Sequence, residues 1–148
     1  MKIIIGSDHG GFELKEVCRG HIATLSEWDL TDAGVFNRDA ADYPKVAHWV
    51  ARSVANGECE RGILICGTGL GMSIVANRYK GVRAAVCHNL FTARLSRQHN
   101  NSNILVMGGR VIGPGIALEM VDLFLRTPFD GGRHASRLNQ IDTNENVQ

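Results

Sequence analysis

Apolar residues along this chain keep two alternating rhythms. Ile3-Ile4-Ile5, Ile63-Leu64-Ile65 and Ile104-Leu105-Val106-Met107 are short continuous runs, the signature of strands buried on both faces. Between them, apolar positions recur at the spacing of helices. Residues 2–6 form the first strand, and Leu14, Val17, Cys18, Ile22 and Leu25 mark a helix over 12–25. A weaker strand spans 28–34. Asp42-Tyr43-Pro44 introduces a helix through Ala55 that stops at Asn56-Gly57, with proline in the first turn and glycine past the end. The third strand covers 63–66, breaks into glycines, and resumes as a helix at Ile74, Val75 and Ala76. Residues 82–87 are the fourth strand, and Asn89 caps a helix from Leu90 to about His99. The fifth strand, 104–107, leads through Gly108-Gly109-Arg110 to a helix over 114–126.

Strands alternating with helices in this way predict an α/β fold, a three-layer sandwich around a five-stranded parallel sheet. Right-handed crossovers give the flavodoxin-like strand order 2-1-3-4-5, with its switch point between the first and third strands. The loops after those two strands then face each other at the carboxyl edge, where open parallel sheets bind ligands. With 148 residues and no linker, repeat or low-complexity segment, the chain reads as a single domain over 1–148. A helical tail follows from about residue 127, and the polar end, 143–148, reads as frayed.

Charge and cysteine content narrow the class. Sixteen Lys+Arg against 15 Asp+Glu leave a net +1, which argues against a nucleic-acid-binding face. No apolar run approaches the ~20 residues of a membrane span. Four cysteines without a C-x-x-C, and a chain that opens directly into a strand, predict free thiols in the cytoplasm.

The glycines at 67, 69 and 71 supply bare amides that can surround an oxyanion or phosphate at a helix N-terminus. Cys66 stands at the mouth of that loop, where N–H dipoles favour a thiolate, although a lone cysteine after a strand more often serves as a small buried hydrophobe. Met72 occupies the place of the third glycine of a dinucleotide fingerprint, so no nucleotide cofactor is indicated. Nor does an arginine follow Cys66 closely, as a cysteine phosphatase loop requires. Asp8, His9 and Arg110 share the same edge, each open to reading as a turn, cap or solvated charge. Tyr43 can cover the sheet edge; His99 and Asn100 can simply close their helix. His21, His48 and His88 suggest no partner and read as structural. In the tail, Arg133 and Arg137 lie one turn apart with His134 beside them, a spacing able to clamp a phosphate or merely to form a solvated basic end. Leu138 and Ile141 give that helix an apolar side that must dock, a second subunit being one candidate.

Taken together, Gly6-Ser7-Asp8-His9-Gly10-Gly11, Asp42-Tyr43-Pro44, the stretch 62–73, Ser96-Arg97-Gln98-His99-Asn100, Gly109-Arg110-Val111 and Gly131-Gly132-Arg133-His134 resemble the ribose-5-phosphate isomerase B and galactose-6-phosphate isomerase family. The resemblance covers the chain to about Ile141 and lies closest to ribose-5-phosphate isomerase B. It implies an aldose–ketose isomerase that needs no metal or cofactor and interconverts ribose 5-phosphate and ribulose 5-phosphate through an enediolate. By analogy Cys66 is the base, with Thr68 nearby, and His99 opens the furanose ring. Gly67, Gly69, Leu70 and Gly71 supply donors for the oxyanion, while Asp8, Tyr43 and Asn100 contact the sugar. His9, Arg110, Arg133, His134 and Arg137 hold the phosphate. The resemblance further implies a homodimer or dimer of dimers with shared active sites. Asn101 stands where relatives often carry an acid, which leaves substrate preference open. A hexose 6-phosphate isomerase (allose or galactose 6-phosphate) and a non-catalytic sugar-phosphate-binding protein are the alternatives.

Overall fold

The computed structural model describes residues 1–142; the polar end expected to fray lies outside them. In chain order the elements are β1 (Lys2–Ser7), α1 (Phe12–Ile22), β2 (Asp29–Asp32), α2 (Tyr43–Ala55), β3 (Arg61–Cys66), α3 (Leu70–Ala76), β4 (Ala84–Val86), α4 (Leu90–Gln98), β5 (Ile104–Gly108), α5 (Pro114–Arg126) and α6 (Arg133–Asp142). The five strands form one sheet, parallel at every pairing.

Alternation along the central strands builds two cores. Ile3, Ile5, Ile63, Ile65, Leu105 and Met107 face α1, α4 and α5, where Leu14, Cys18, Ala93, Met120 and Phe124 cover them. Ile4, Leu64, Cys66, Ile104 and Val106 face α2 and α3, against Ala47, Val50, Met72 and Ala76. Three continuous apolar runs are therefore needed because three strands are covered on both sides.

The strand order is β2-β1-β3-β5-β4, which corrects the flavodoxin-like order 2-1-3-4-5 expected for the last two strands. Burial explains the exchange. Every residue of β5 is buried, so it fits an interior position, whereas β4 has three residues, all only half-buried, and suits an edge. As a result the loop carrying Arg110 follows the strand next to β3. The first helix is also shorter than its apolar pattern. It stops at Ile22, where Thr24 and Leu25 donate to the carbonyls of His21 and Ile22 and tighten the chain into a turn. No helix among the described residues is long and apolar enough to cross a membrane.

The tail helix forms as expected. It docks Leu138 on its own chain, at 8% exposure, and leaves Ile141 exposed.

Ion pairs from Lys15 and Arg19 to Asp32 tie α1 to the end of β2, the Lys15 pair being the closer. Lys15 is fully buried, yet its Nζ reaches both Asp32 carboxylate oxygens at 2.8 and 2.9 Å and Glu16 at 3.0 Å. Asp32 in turn accepts the Gly34 N–H at 2.8 Å, which holds the chain leaving β2 against Ser7. Removing one member of a buried pair costs more than the pair contributes, because the other charge is stranded. Lys15→Ala is expected to lower the free energy of unfolding by about 3 kcal/mol, as measured by urea denaturation.

Candidate active site

Because β1, β3 and β5 are neighbours, the loops that leave their carboxyl ends are packed backbone against backbone. A Cβ placed on Gly10 would lie 3.2 Å from the Gly67 amide nitrogen, and one on Gly109 would lie 2.8 Å from the Gly10 carbonyl oxygen. Hydrogen bonds stitch the same contacts: Gly109 N–H to Cys66 O at 2.8 Å, Arg110 N–H to Gly67 O at 3.1 Å and Asp8 N–H to Ile65 O at 3.3 Å. Asp8, nearly buried, closes its own loop by accepting the Gly11 N–H at 3.0 Å.

Cys66 ends β3 with its residue packed on the α2–α3 side, 5% exposed. Its sulfur is not left to the hydrocarbon, since Sγ accepts the Gly69 N–H at 3.1 Å. Gly69 sits at φ +83°, the left-handed conformation that turns this amide back toward the sulfur and favours glycine. A donor so aimed binds a sulfur anion more strongly than a neutral thiol. Burial raises the pKa of the three thiols away from this loop: Cys18 to about 12, and Cys59 and Cys87 as well, all chiefly by desolvation.

The loop's amides divide between tasks. Gly69 N–H is committed to the sulfur, and Leu70 N–H to Thr68 Oγ1 at 3.4 Å. Among the described residues, the amides of Gly67, Thr68 and Gly71 hold no hydrogen bond, which leaves them as donors for an incoming oxygen. Tyr43 belongs to this group, because its ring lies over Gly71, 2.7 Å from where a Cβ would stand.

Cations gather on the other flank. The Arg110 side chain lies across Gly67, its Nε 3.8 Å from the position of a Cβ there. His9 Nδ1 accepts the Ala41 N–H at 3.2 Å, so in the neutral ring Nε2 carries the proton. His9 and Arg110 line a hollow of about 270 Å³ together with Arg38 and Glu13, themselves paired at 2.9 Å. Arg38 was not among the residues expected here; it lies in the irregular stretch between β2 and α2, where no spacing points to a site.

His99, Asn100, Arg133, His134 and Arg137 are not brought to this edge within the chain. α4 runs back against the strands, so His99 and Asn100 close it at the amino edge of β5. Asn100 there lines a larger hollow, about 820 Å³, shared with Leu138 and Ile141 of α6. His99 stacks on His134 with ring centroids 4.1 Å apart and planes 7° apart. Desolvation holds His134 below the usual histidine range, helped by the charges of His99, Arg133 and Arg137 and opposed by Asp130. Arg133 and Arg137 are exposed on the outer face of α6. His99, Asp130 and His134 offer ligand atoms within 4.8 Å of one another, the one group of this kind among the described residues.

Arg97 fixes the turn that carries His99. Its guanidinium, buried beside Phe124, donates to Ser102 O and to Asn101 Oδ1, the latter at 2.9 Å, and burial lowers its pKa to about 10. Asn101, in place of an acid, is at φ +44°, a conformation asparagine tolerates better than most residues. The remaining histidines have partners or none: His21 meets Asp122 and His48 meets Tyr79, both at 2.9 Å, while His88 Nε2 is buried without a hydrogen bond.

Comparison with known proteins finds relatives in both sequence and fold along nearly the whole chain. Residues 3–141 match the ribose/galactose isomerase family. Ribose-5-phosphate isomerase B of Escherichia coli is 45% identical, covering 95% of this chain and 93% of its own. Among solved structures, ribose-5-phosphate isomerase B of Clostridium thermocellum is 49% identical with a TM-score of 0.91, over 96% of this chain and 95% of its own. The Mycoplasma genitalium enzyme, solved with bound ribulose 5-phosphate, is 40% identical with a TM-score of 0.92, over 99% and 97%. With sequence along nearly its whole length and fold both in agreement, the chain belongs to the ribose/galactose isomerase family, whose members named here are sugar-phosphate isomerases.

Proposed function

We propose that this protein interconverts ribose 5-phosphate and ribulose 5-phosphate by proton transfer through an enediolate, without a metal. The observation that carries the reading is the Gly69 N–H directed onto Cys66 Sγ, at the mouth of a loop whose Gly67, Thr68 and Gly71 amides are free for an oxyanion. A proton α to a carbonyl is weakly acidic, so its removal needs a base in reach, donors on the oxygen that becomes negative, and an anchor for the carbon skeleton. Cys66, as thiolate, takes the C2 proton; the electron pair moves onto the C1 carbonyl oxygen, where the amides of Gly67, Thr68 and Gly71 stabilise it. Return of the proton to C1, with transfer of the O2 hydroxyl proton, completes the ketose, and the Thr68 hydroxyl is at hand for the second transfer. His9 and Arg110 anchor the phosphate on the same chain, and Asp8 and Tyr43 flank the sugar.

Ring opening needs an acid, and His9, which carries a proton on Nε2 at this edge, is already taken up by the phosphate in this reading. The reading therefore takes His99 and Asn100, with Arg133, His134 and Arg137 as further phosphate ligands, from a second copy of the chain. Leu70 and Ile74, one turn apart beside the glycine loop, are 58% and 59% exposed, an apolar stripe suited to such a contact. A homodimer with two composite sites, free in the cytoplasm, is the simplest assembly that satisfies this.

In a coupled assay with ribose 5-phosphate and a chelator, Cys66→Ala is expected to lower kcat by at least about a hundredfold, the usual contribution of a positioned base. Equal turnover rejects the thiol base. Iodoacetamide is expected to modify Cys66 ahead of Cys18, Cys59 and Cys87, with ribose 5-phosphate protecting it, as read by peptide mass; a pure binding protein has no need of that pattern. Co-refolding Cys66→Ala with His99→Ala is expected to restore about a quarter of wild-type activity, because half the dimers then carry one intact site of two. No recovery places both residues in one chain's site. Side-by-side kcat/KM values on four-, five- and six-carbon aldose phosphates decide the sugar, with a preference for six carbons favouring allose or galactose 6-phosphate.

A further inference from the structure

Two segments far apart in sequence are tied together at the amino edge of the sheet. Asp130 N–H donates to Gln98 O at 3.0 Å, which fastens the chain before α6 to the residue preceding His99. His134 then returns over His99, and Asp130 stands beside both. Ring nitrogens of His9, His21 and His48 each hold a partner, whereas those of His99 and His134 hold none among the described residues. His134 is nonetheless nine-tenths covered, at 9% exposure. Two imidazoles without partners and a carboxylate, converging from three points of the chain, form a donor set that borderline transition metals prefer.

We propose that His99, Asp130 and His134 bind a cation such as Zn²⁺ and that the bound cation inhibits the enzyme; the inhibition, though not the binding, rests on His99 being the ring-opening acid. Their ligand atoms lie within 4.8 Å of one another, and bonds of about 2.0–2.2 Å in tetrahedral zinc draw such atoms to about 3.4 Å. Exposed Asp130 closes its part of that gap by rotation, and half-exposed His99 must swing out of its stack on His134, because a metal binds an imidazole in the plane of the ring and the two planes are only 7° apart. Arg133 and Arg137 stand nearby and repel a dication, so the site has little hold on Mg²⁺ or Ca²⁺ and depends on ions with a strong imidazole preference. A metal on His99 occupies the lone pair that would carry the proton to the sugar ring oxygen.

The test uses the full-length protein and Co²⁺ as an optical probe, followed by Zn²⁺ titration of activity. Expected are one Co²⁺ per chain with no sulfur-to-metal charge-transfer band, and affinity at least about tenfold weaker in Asp130→Ala and in the shape-conserving Asp130→Asn, the loss that even an indirect partner of a metal ligand causes. Zn²⁺ is expected to lower wild-type turnover reversibly over the same range, while the Asp130 variants keep basal activity and need correspondingly more Zn²⁺. Absence of saturable binding, a thiolate band, or affinity unchanged in both variants overturns the site. Asp130-dependent binding to an active enzyme whose turnover does not respond overturns the inhibition. Asp130-dependent binding by a chain with no isomerase activity supports the metal site and rejects the catalytic reading instead.

Discussion

The site depends on a single constraint: three strands covered on both faces lie side by side and end at one edge. A strand with helices packed above and below has no room for a broad turn, so each chain leaves β1, β3 and β5 at once and meets its neighbours main chain to main chain. The bonds from Gly109, Arg110 and Asp8 into β3 and its loop are made between these loops, not to solvent. Donors held in this way are oriented before any substrate arrives, which is the condition under which they stabilise developing charge most. Cys66 gains its place from the same constraint, because the β3 alternation sends Leu64 and Cys66 to one face and Ile63 and Ile65 to the other.

Much of this was legible in the sequence, and what was not has a physical reason. The apolar runs announced buried strands, and the glycines announced a close approach of backbone. Strand order was harder, because an apolar run reports coverage and not neighbours. Even so, the contrast between Ile104-Leu105-Val106-Met107 and the small, half-buried β4 distinguishes an interior strand from an edge strand. Lys15 carries no such cue. Its position beside Leu14 reads as a helix surface, and Asp32, which meets its ammonium alongside Glu16, comes from another element. Arg97 is hidden for the same reason, its acceptors lying in turns that the fold assembles. The separation of His99 from Cys66 follows from helix direction in a parallel sheet, whereas its stacking on His134 needs α6 to return across α4, which no local pattern signals.

Glycine in the Cys66 loop is commonly read as flexibility, but the contacts argue for the reverse. At Gly69 the left-handed φ makes any side chain strained, and at Gly71 a Cβ would meet the Tyr43 ring at 2.7 Å. At Gly10 it would press on the Gly67 amide. Gly69, Gly71 and Gly10 are thus enclosed, and the absence of a side chain lets neighbouring backbone or ring fill the space. The proposed chemistry requires this. Sulfur and oxyanion both need N–H donors, and a mobile loop would let them compete for the same ones. With Gly69 fixed on the sulfur, the amides of Gly67, Thr68 and Gly71 remain for the oxygen. In the proposed mechanism, fixing the loop is what allows one short turn to stabilise first the thiolate base and then the oxyanion.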